Sequence, residues 1–200
     1  IKEEYARVFE ITRQFYGLFN IPYRFRLGTR PDDLMGDSAT WDKAEAILEE
    51  IAKNSGQEYF VGENEGAFYG PKIDILMKDA LGREWQTGTI QLDFQQPRRF
   101  NLVYTAADGS QKTPVVIHRV IYGSLERFIG ILLEHLGGNL PVWLSPVQVK
   151  VLPISVEQAD YANMVAKKLQ VENPLARIEV DSTNETLPKK IRNAQQFKIP

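Results

Sequence analysis

The sequence of 200 residues contains no cysteine and only two histidines, His118 and His135. Disulfide bonds and thiolate metal sites within the chain are therefore excluded, and so is a secreted disulfide scaffold. No apolar run approaches the ~18 residues of a membrane span, so we expect no membrane partner. The formal net charge of −2 provides no global positive field, so any nucleic-acid contact must come from local basic patches.

The composition that remains, 43% hydrophobic and 25% charged, is typical of a globular protein with one or two domains. The first residues, IKEEYARVFE, do not form a signal peptide, and we expect a cytoplasmic protein, with an organelle as the alternative. The sequence has no initiator methionine and starts inside a helical pattern. We therefore expect a piece of a longer polypeptide.

The first three quarters of the chain predict an α+β fold. Residues 21–122 contain short, mostly antiparallel strands, with helices before, among and after them. Apolar side chains at helical spacing predict helices over 2–18 and over 41–54, and Thr40 is the expected cap of the second helix.

Two hairpins are expected within this region. The alternating segments 72–79 and 83–94 are joined by a short glycine turn and predict an antiparallel pair. Residues 101–105 and 113–123 flank a DGSQ turn and predict a second hairpin.

The end of the chain has a different organisation. Residues 147–197 alternate strand, helix, strand and helix, which is the pattern of a parallel α/β unit. Two prolines in PVWLSP separate it from the preceding region. We therefore predict two domains, at residues 1–143 and 144–200.

The segment GSLERFIGILLEH, residues 123–135, predicts a helix with Arg127 in its first turn. Because that end of a helix already carries partial positive charge, a cation there is unfavourable unless an anion lies nearby. Arg127 is either an ordinary solvated side chain or, with Ser124 and the exposed N–H groups, part of a phosphate site. One helix face is apolar and is expected to be buried; its residues are Leu125, Phe128, Ile129, Leu132, Leu133 and Leu136.

The run from VVIHRVIYG into GSLERFIGILLEH resembles motif 3 of the class II aminoacyl-tRNA synthetases. The strings EGAFYGPKID, REWQTGTIQLDF and PVWLSPVQV are similar to the threonyl-tRNA synthetase family, and the similarity extends along the whole chain. The resemblance implies part of a class II antiparallel catalytic sheet flanked by helices, followed by part of a small α/β anticodon-binding domain.

The resemblance also implies an activity. ATP with Mg²⁺ would activate L-threonine to threonyl-adenylate, the threonyl group would pass to tRNA(Thr), and the full-length enzyme would be a homodimer. Arg127 would be the catalytic residue, acting on the triphosphate by charge stabilisation. The implied ATP-binding residues are Gln86, Thr89, Ser124 and Arg127, and the implied threonine-binding residues are Tyr69, Lys72 and Gln91.

The residues of WQTGTIQ have an expected orientation. Spacing by two places Thr87, Thr89 and Gln91 on one strand face, with Gln86 on the other face if no bulge intervenes. Gly88 is expected to let the substrate lie close to the backbone.

The resemblance implies two further sites. His118 matches one ligand of a catalytic Zn²⁺, which would select threonine over valine by binding its hydroxyl group; taken alone, a strand histidine is more commonly a structural residue. In the α/β unit, Asn184 and Arg192 match base-reading positions for the anticodon. Lys189 and Lys190 would add phosphate attraction on a basic helix, whose simpler interpretation is a solvated surface.

The sequence departs from the family pattern in ways that leave alternatives open. It lacks the cysteine and second histidine that complete the family's zinc site, and it contains no match to motifs 1 and 2. We expect this piece alone to be inactive. The main alternative is a non-catalytic RNA-binding module derived from a class II synthetase, and a synthetase for another amino acid is a further one.

Overall fold

The computed structural model describes all 200 residues, Ile1–Pro200. They form two compact units, Ile1–Leu132 and Leu133–Pro200, which divide within a helix. The predicted boundary at 143–144 stays a prediction. None of the helices combines the length and the apolar character needed to cross a bilayer.

The first unit contains a five-stranded sheet and most of the helices. Its elements, in chain order, are α1 Lys2–Leu18, β1 Tyr23–Gly28, α2 Ser38–Asn54, β2 Tyr59–Gly62, β3 Lys72–Lys78, β4 Glu84–Asp93, α3 Gln95–Arg99, β5 Tyr104–Thr105, β6 Gln111–Lys112, β7 Val116–Val120 and α4 Leu125–His135. The last of these, α4, continues into the second unit.

The strand order of the main sheet is β2-β1-β3-β4-β7. Only the β1–β2 pair is parallel, so the expected α+β class with a mostly antiparallel sheet is confirmed. The hairpin predicted from 72–79 and 83–94 is confirmed as β3 and β4.

The second predicted hairpin is wrong. Strand β5 pairs with the two-residue strand β6 in a separate ribbon, while β7 joins the main sheet beside β4. The turn closes locally, because the Ala106 N–H donates to the Ser110 carbonyl. Pro114 follows the ribbon and has no N–H to extend its ladder, so the pairing stops before β7.

Helices α1 and α2 cover one face of the main sheet. Phe9 of α1 stacks on Phe25 of β1 with ring centroids 4.5 Å apart, and Leu48 of α2 is fully buried. Helix α2 begins at Ser38 rather than after Thr40, because Asp37 is the true cap: its carboxylate accepts a hydrogen bond from the Thr40 N–H at 2.8 Å.

The buried stripe of α4 differs from the predicted apolar face. Phe128, Ile131 and Leu132 are buried, whereas Leu125, Ile129 and Leu133 are exposed. Phe128 packs in an aromatic cluster with Phe15, Phe19 and Tyr122. Because positions three and four residues along a helix share a face, this anchor buries Ile131 and Leu132 and turns Ile129 and Leu133 outward; Leu125, three residues before Phe128, is exposed in the first turn.

The second unit has the predicted strand, helix, strand, helix order. Its elements are β8 Val149–Val151, α5 Ala159–Glu172, β9 Ile178–Val180 and α6 Leu187–Gln196. Strands β8 and β9 are parallel, which confirms the expected α/β pattern. The Arg177 guanidinium donates to the Trp143 and Ser145 carbonyls, and these bonds hold the proline-rich segment against the end of the unit.

Candidate functional site

The face of the main sheet opposite α1 and α2 carries charged and amide side chains, and we call it the polar face. Its members are Arg26, Lys72, Asp74, Gln86, Thr89, Gln91 and His118. They come from four adjacent strands, β1, β3, β4 and β7. Polar and charged groups on a central sheet are unfavourable for packing alone, so this face is the candidate site.

A β-bulge in β4 determines which residues reach the polar face. Gly88 pairs with Ile75 and Gln86 pairs with Leu76, so Thr87 is the extra residue. Thr87 turns toward α1, where its hydroxyl lies 2.5 Å from the Tyr16 hydroxyl. The expectation that Thr87 shares a face with Thr89 is therefore wrong, and Gln86 lies on the polar face instead.

Gly88 has a structural role in the sheet in addition to the one expected. A Cβ at this position would lie 2.4 Å from the Ile121 carbonyl oxygen and 2.5 Å from that of Val120. The neighbouring backbone alone therefore excludes a side chain there, and the close approach of a substrate stays a prediction.

Asp74 is the centre of the polar face, and its side chain is fully buried. Its Oδ1 accepts hydrogen bonds from Gln86 Nε2 at 2.8 Å and from Thr89 Oγ1 at 2.9 Å. Its Oδ2 accepts from Arg26 Nη2 at 2.7 Å and pairs with Lys72 Nζ at 3.0 Å. One carboxylate thus orients three of the predicted ligand-binding side chains.

Sequence reasoning missed Asp74 and Arg26. The alternation of KIDIL places Lys72 and Asp74 on one strand face, which is the signal that could have identified the aspartate. The partner strand contributes Arg26 by its register, since Arg26 lies directly opposite Asp74.

The predicted threonine-binding residues meet at one end of the polar face. Lys72, Gln91 and His118 are register neighbours across β3, β4 and β7. The Tyr69 hydroxyl donates to Gln91 Oε1 at 2.8 Å, and the Tyr69 and His118 rings are 6.2 Å apart, edge to face. Burial, together with the negative charge of Asp93, raises the pKa of the Tyr69 hydroxyl, which keeps it a hydrogen-bond donor.

His118 is held by Asp93, a residue that sequence reasoning also missed. His118 Nε2 donates to Asp93 Oδ2 at 2.9 Å, and the same carboxylate accepts the backbone N–H groups of Gln95 and Gln96. Burial opposes ionisation of Asp93, but these hydrogen bonds outweigh it and lower the pKa of the carboxyl. The ionised carboxylate fixes the orientation of the imidazole ring.

The residues of this chain do not by themselves fit a zinc ion. Zinc sites in proteins use at least three side-chain ligands, and no group of three His, Cys, Asp or Glu side chains with suitable geometry is present among the 200 residues. His118 has one ring nitrogen on Asp93, so it offers at most one coordinating atom.

The turn before α4 places Ser124 and Arg127 beside β4. Gly123 has φ = +74°, and a Cβ there would lie 2.2 Å from the Thr87 carbonyl oxygen, so only glycine fits. Ser124 Oγ accepts the Arg127 N–H at 3.2 Å and caps the helix. The Arg127 side chain is exposed and forms no ion pair, and its guanidinium carbon lies over the Trp85 ring, 5.7 Å from the centroid.

The predicted anticodon-binding residues, Asn184 and Arg192, are both exposed in the second unit. Asn184 follows a turn in which Asp181 accepts hydrogen bonds from the Thr183 N–H and hydroxyl. The hydroxyl of Thr183, with the other hydrogen bonds at this site, lowers the pKa of Asp181.

The basic character expected of α6 is smaller than the sequence indicates. Lys190 is fully buried, and its ammonium group donates to the carbonyls of Pro153 and Asp181. Lys189 forms an ion pair with Glu185 at 2.7 Å. The expectation that Lys190 attracts phosphate is wrong, because its charge is used to join the ends of β8 and β9.

Two family models match the chain. The model described as tRNA synthetase class II core domain (G, H, P, S and T) matches residues 1–136, and the anticodon binding domain model matches residues 148–200. The chain is 49% identical over all 200 residues to a threonine–tRNA ligase of Clostridium tetani.

Two solved structures are also similar. The chain superposes on the RNA binding domain of threonyl-tRNA synthetase from Cryptosporidium parvum with a TM-score of 0.93 and 40% identity, covering 99% of this chain and 50% of that one. A threonyl-tRNA synthetase structure from Aeropyrum pernix gives a TM-score of 0.80 at 30% identity, covering 100% of this chain and 48% of that one.

The chain spans 31% of the length of the Clostridium tetani relative. The core-domain match covers well over half of the 200 residues, and it includes every strand of the main sheet and every residue of the polar face. This chain therefore belongs to the class II aminoacyl-tRNA synthetases of the G, H, P, S and T group.

Proposed function

We propose that this chain provides the ATP- and threonine-binding face and an anticodon-binding unit of a threonine–tRNA ligase. The identity of 49% with a threonine–tRNA ligase along the whole chain supports this assignment. The observation that carries it is the polar face itself. There, Asp74 orients Lys72, Gln86 and Thr89. Beside Lys72, Gln91 accepts a hydrogen bond from the Tyr69 hydroxyl.

The nucleotide would lie along β4 toward the start of α4. Gln86 and Thr89 are proposed to contact ATP, and Ser124 and Arg127 are proposed to lie beside its phosphates, with Mg²⁺ carried on the triphosphate. Arg127 has no carboxylate partner within the chain, so its charge remains available to an anion.

Threonine would lie at the other end of the polar face, against Tyr69, Lys72 and Gln91. Its carboxylate oxygen would attack the α-phosphorus of ATP, forming the new P–O bond while the bond to pyrophosphate breaks. No general base is needed, because the attacking group is already an anion. Catalysis then consists of positioning by the side chains that Asp74 orients, and of charge stabilisation by Arg127.

Transfer RNA would be recognised by the second unit. Asn184 and Arg192 are exposed and can reach the hydrogen-bonding edges of unstacked anticodon bases. With Lys190 buried and Lys189 paired, we expect little phosphate attraction from α6 itself.

Zinc and the homodimer remain separate proposals that rest on the family resemblance. His118 would be one zinc ligand, and the others would come from residues outside this chain; no step above depends on the metal. Metal analysis of the full-length protein, wild type against His118→Ala, tests this, and full zinc occupancy in the variant would remove His118 from the site. Light scattering of the full-length protein tests the dimer.

ATP–pyrophosphate exchange by the full-length protein tests the proposed activity. Threonine should support exchange, whereas serine and proline should support much less. Exchange with another amino acid but not with threonine would assign a different synthetase. No exchange with any amino acid, together with retained tRNA binding, would favour a non-catalytic RNA-binding module.

A further inference from the structure

The hairpin between β3 and β4 carries a polar cluster outside the proposed substrate contacts. Asp79 lies just after β3 with a fully buried carboxylate. Its Oδ2 accepts hydrogen bonds from Trp85 Nε1 at 2.8 Å and from Arg83 Nε at 2.6 Å. Its Oδ1 accepts the backbone N–H groups of Leu81 and Arg83, so every acceptor position of the carboxylate is used.

These bonds hold the Trp85 indole at a defined place beside the start of α4. The guanidinium carbons of Arg83 and Arg127 lie 5.6 and 5.7 Å from the centroid of its ring. An aromatic face attracts a cation at such distances. The two arginines differ in one respect, because Arg83 is neutralised by Asp79 whereas Arg127 has no carboxylate partner.

We propose that Trp85, held by Asp79, is a positioning residue for Arg127 in the activation of the amino acid. The uncharged Trp85 ring contacts the Arg127 guanidinium without neutralising the charge of the arginine. A carboxylate at the same place would also orient the side chain, but it would compete with the triphosphate for the charge. The inference rests on the proposed function, since it concerns the arginine assigned to ATP.

A double-mutant cycle in the full-length protein tests the proposal. The measurement is ATP–pyrophosphate exchange supported by threonine. Trp85→Leu should lower kcat/KM for ATP by roughly 2- to 5-fold and leave KM for threonine unchanged. In the Arg127→Ala background, Trp85→Leu should cause no further loss. Equal losses in both backgrounds would show that Trp85 does not act through Arg127 and would overturn the proposal.

Two further variants guard against a purely structural effect. Trp85→Phe keeps an aromatic face, so it should recover most of the kcat/KM that Trp85→Leu loses; a phenylalanine variant as poor as the leucine variant would count against the contact. Asp79→Asn should give a smaller loss that also disappears in the Arg127→Ala background. Leu81→Ala, on the same hairpin and 73% exposed, is the control and should match wild type.

Failure of the inference and failure of the proposed function give different results. If wild-type protein does not exchange pyrophosphate with threonine, the function is wrong. If the wild type is active and the cycle is additive, only the role of Trp85 is wrong.

Discussion

The two faces of the five-stranded sheet are stabilised by different interactions, apolar packing on one face and hydrogen bonds with ion pairs on the other. On the helix-covered face, Phe25, Ile73, Ile75, Met77 and Ile90 are at most 1% exposed and pack as a close apolar layer. On the polar face, a carboxylate, Asp74, is fully buried, and its neighbours are cations, amides and hydroxyls.

One strand, β4, contributes side chains to both faces and so serves both stability and binding. Apolar burial is non-directional and roughly proportional to area, so the helix-covered face is set by volume and shape. A buried polar array is stable only when every member is satisfied, and it then fixes side-chain orientation. The bulge at Thr87 places Gln86 on the polar face together with Thr89, while Thr87 itself points to the helix-covered face.

The largest effect on stability is expected from the helix-covered face. Phe25→Ala removes a ring that is 1% exposed and should destabilise the first unit by about 3–5 kcal/mol. The melting temperature of the full-length protein should fall, while the remaining folded enzyme keeps its KM for ATP. Phe100→Ala, at a position that is 73% exposed, is the matched control and should change little.

The largest effect on activity is expected beside the polar face. Arg127→Ala should cost about 2–4 kcal/mol of transition-state stabilisation, which is roughly a 30- to 1000-fold loss of kcat/KM in pyrophosphate exchange. The melting temperature should stay near that of the wild type, because the side chain is exposed and forms no ion pair. Arg7→Ala on α1, where Arg7 pairs only with Glu4, is the control. Unchanged exchange kinetics in Arg127→Ala would remove the assigned role.

A smaller effect, confined to tRNA, is expected from the second unit. Asn184→Ala should cost about 1–3 kcal/mol in kcat/KM for tRNA charging, the usual range for a lost base contact. Pyrophosphate exchange, which needs no tRNA, should be unchanged. Asn163→Ala, at an exposed position on α5, is the control. Equal damage to both reactions would indicate misfolding instead of lost recognition.

The last effect is confined to acid pH. Burial opposes ionisation of Asp79, but hydrogen bonds from Trp85, Arg83 and Leu81 outweigh it and lower the pKa to about 2. Because the pKa is lower in the folded state than the ordinary value near 4, the carboxylate stabilises the fold above about pH 4. This contribution should be lost as the pH falls from about 4 to about 2. The stability difference between wild type and Asp79→Asn, measured by denaturation, should shrink over that window; a constant difference would contradict the assignment.

The sequence predicts the elements better than it predicts their pairing. Helix periodicity locates α1 and α5, and alternation locates β3 and β4, because these patterns depend on local spacing alone. The partner of β7 depends on which distant strand is free to pair, and no local pattern encodes that. The bulge in β4 has the same origin, since only register with β3 reveals that Thr87 is the extra residue.

The sequence likewise predicts only part of the candidate site. The family strings identify Tyr69, Lys72, Gln91 and Arg127 as candidates, and the structure places the first three together. Asp74 and Asp93 were not predicted, because their importance comes from the donors that the fold brings to them. Lys190, in contrast, is a residue whose predicted role is wrong. A lysine in a basic helix is expected in solvent, but the tertiary fold buries it.

Hydrogen–deuterium exchange of the full-length protein with a non-hydrolysable threonyl-adenylate analogue tests whether the ligand binds on the polar face. Binding should protect the backbone around residues 68–74, 86–91 and 123–128, which border the polar face, and leave α1 and α2 unchanged. Protection confined to α1 and α2, or saturable binding with no protection around β3 and β4, would show that the ligand does not bind on the polar face.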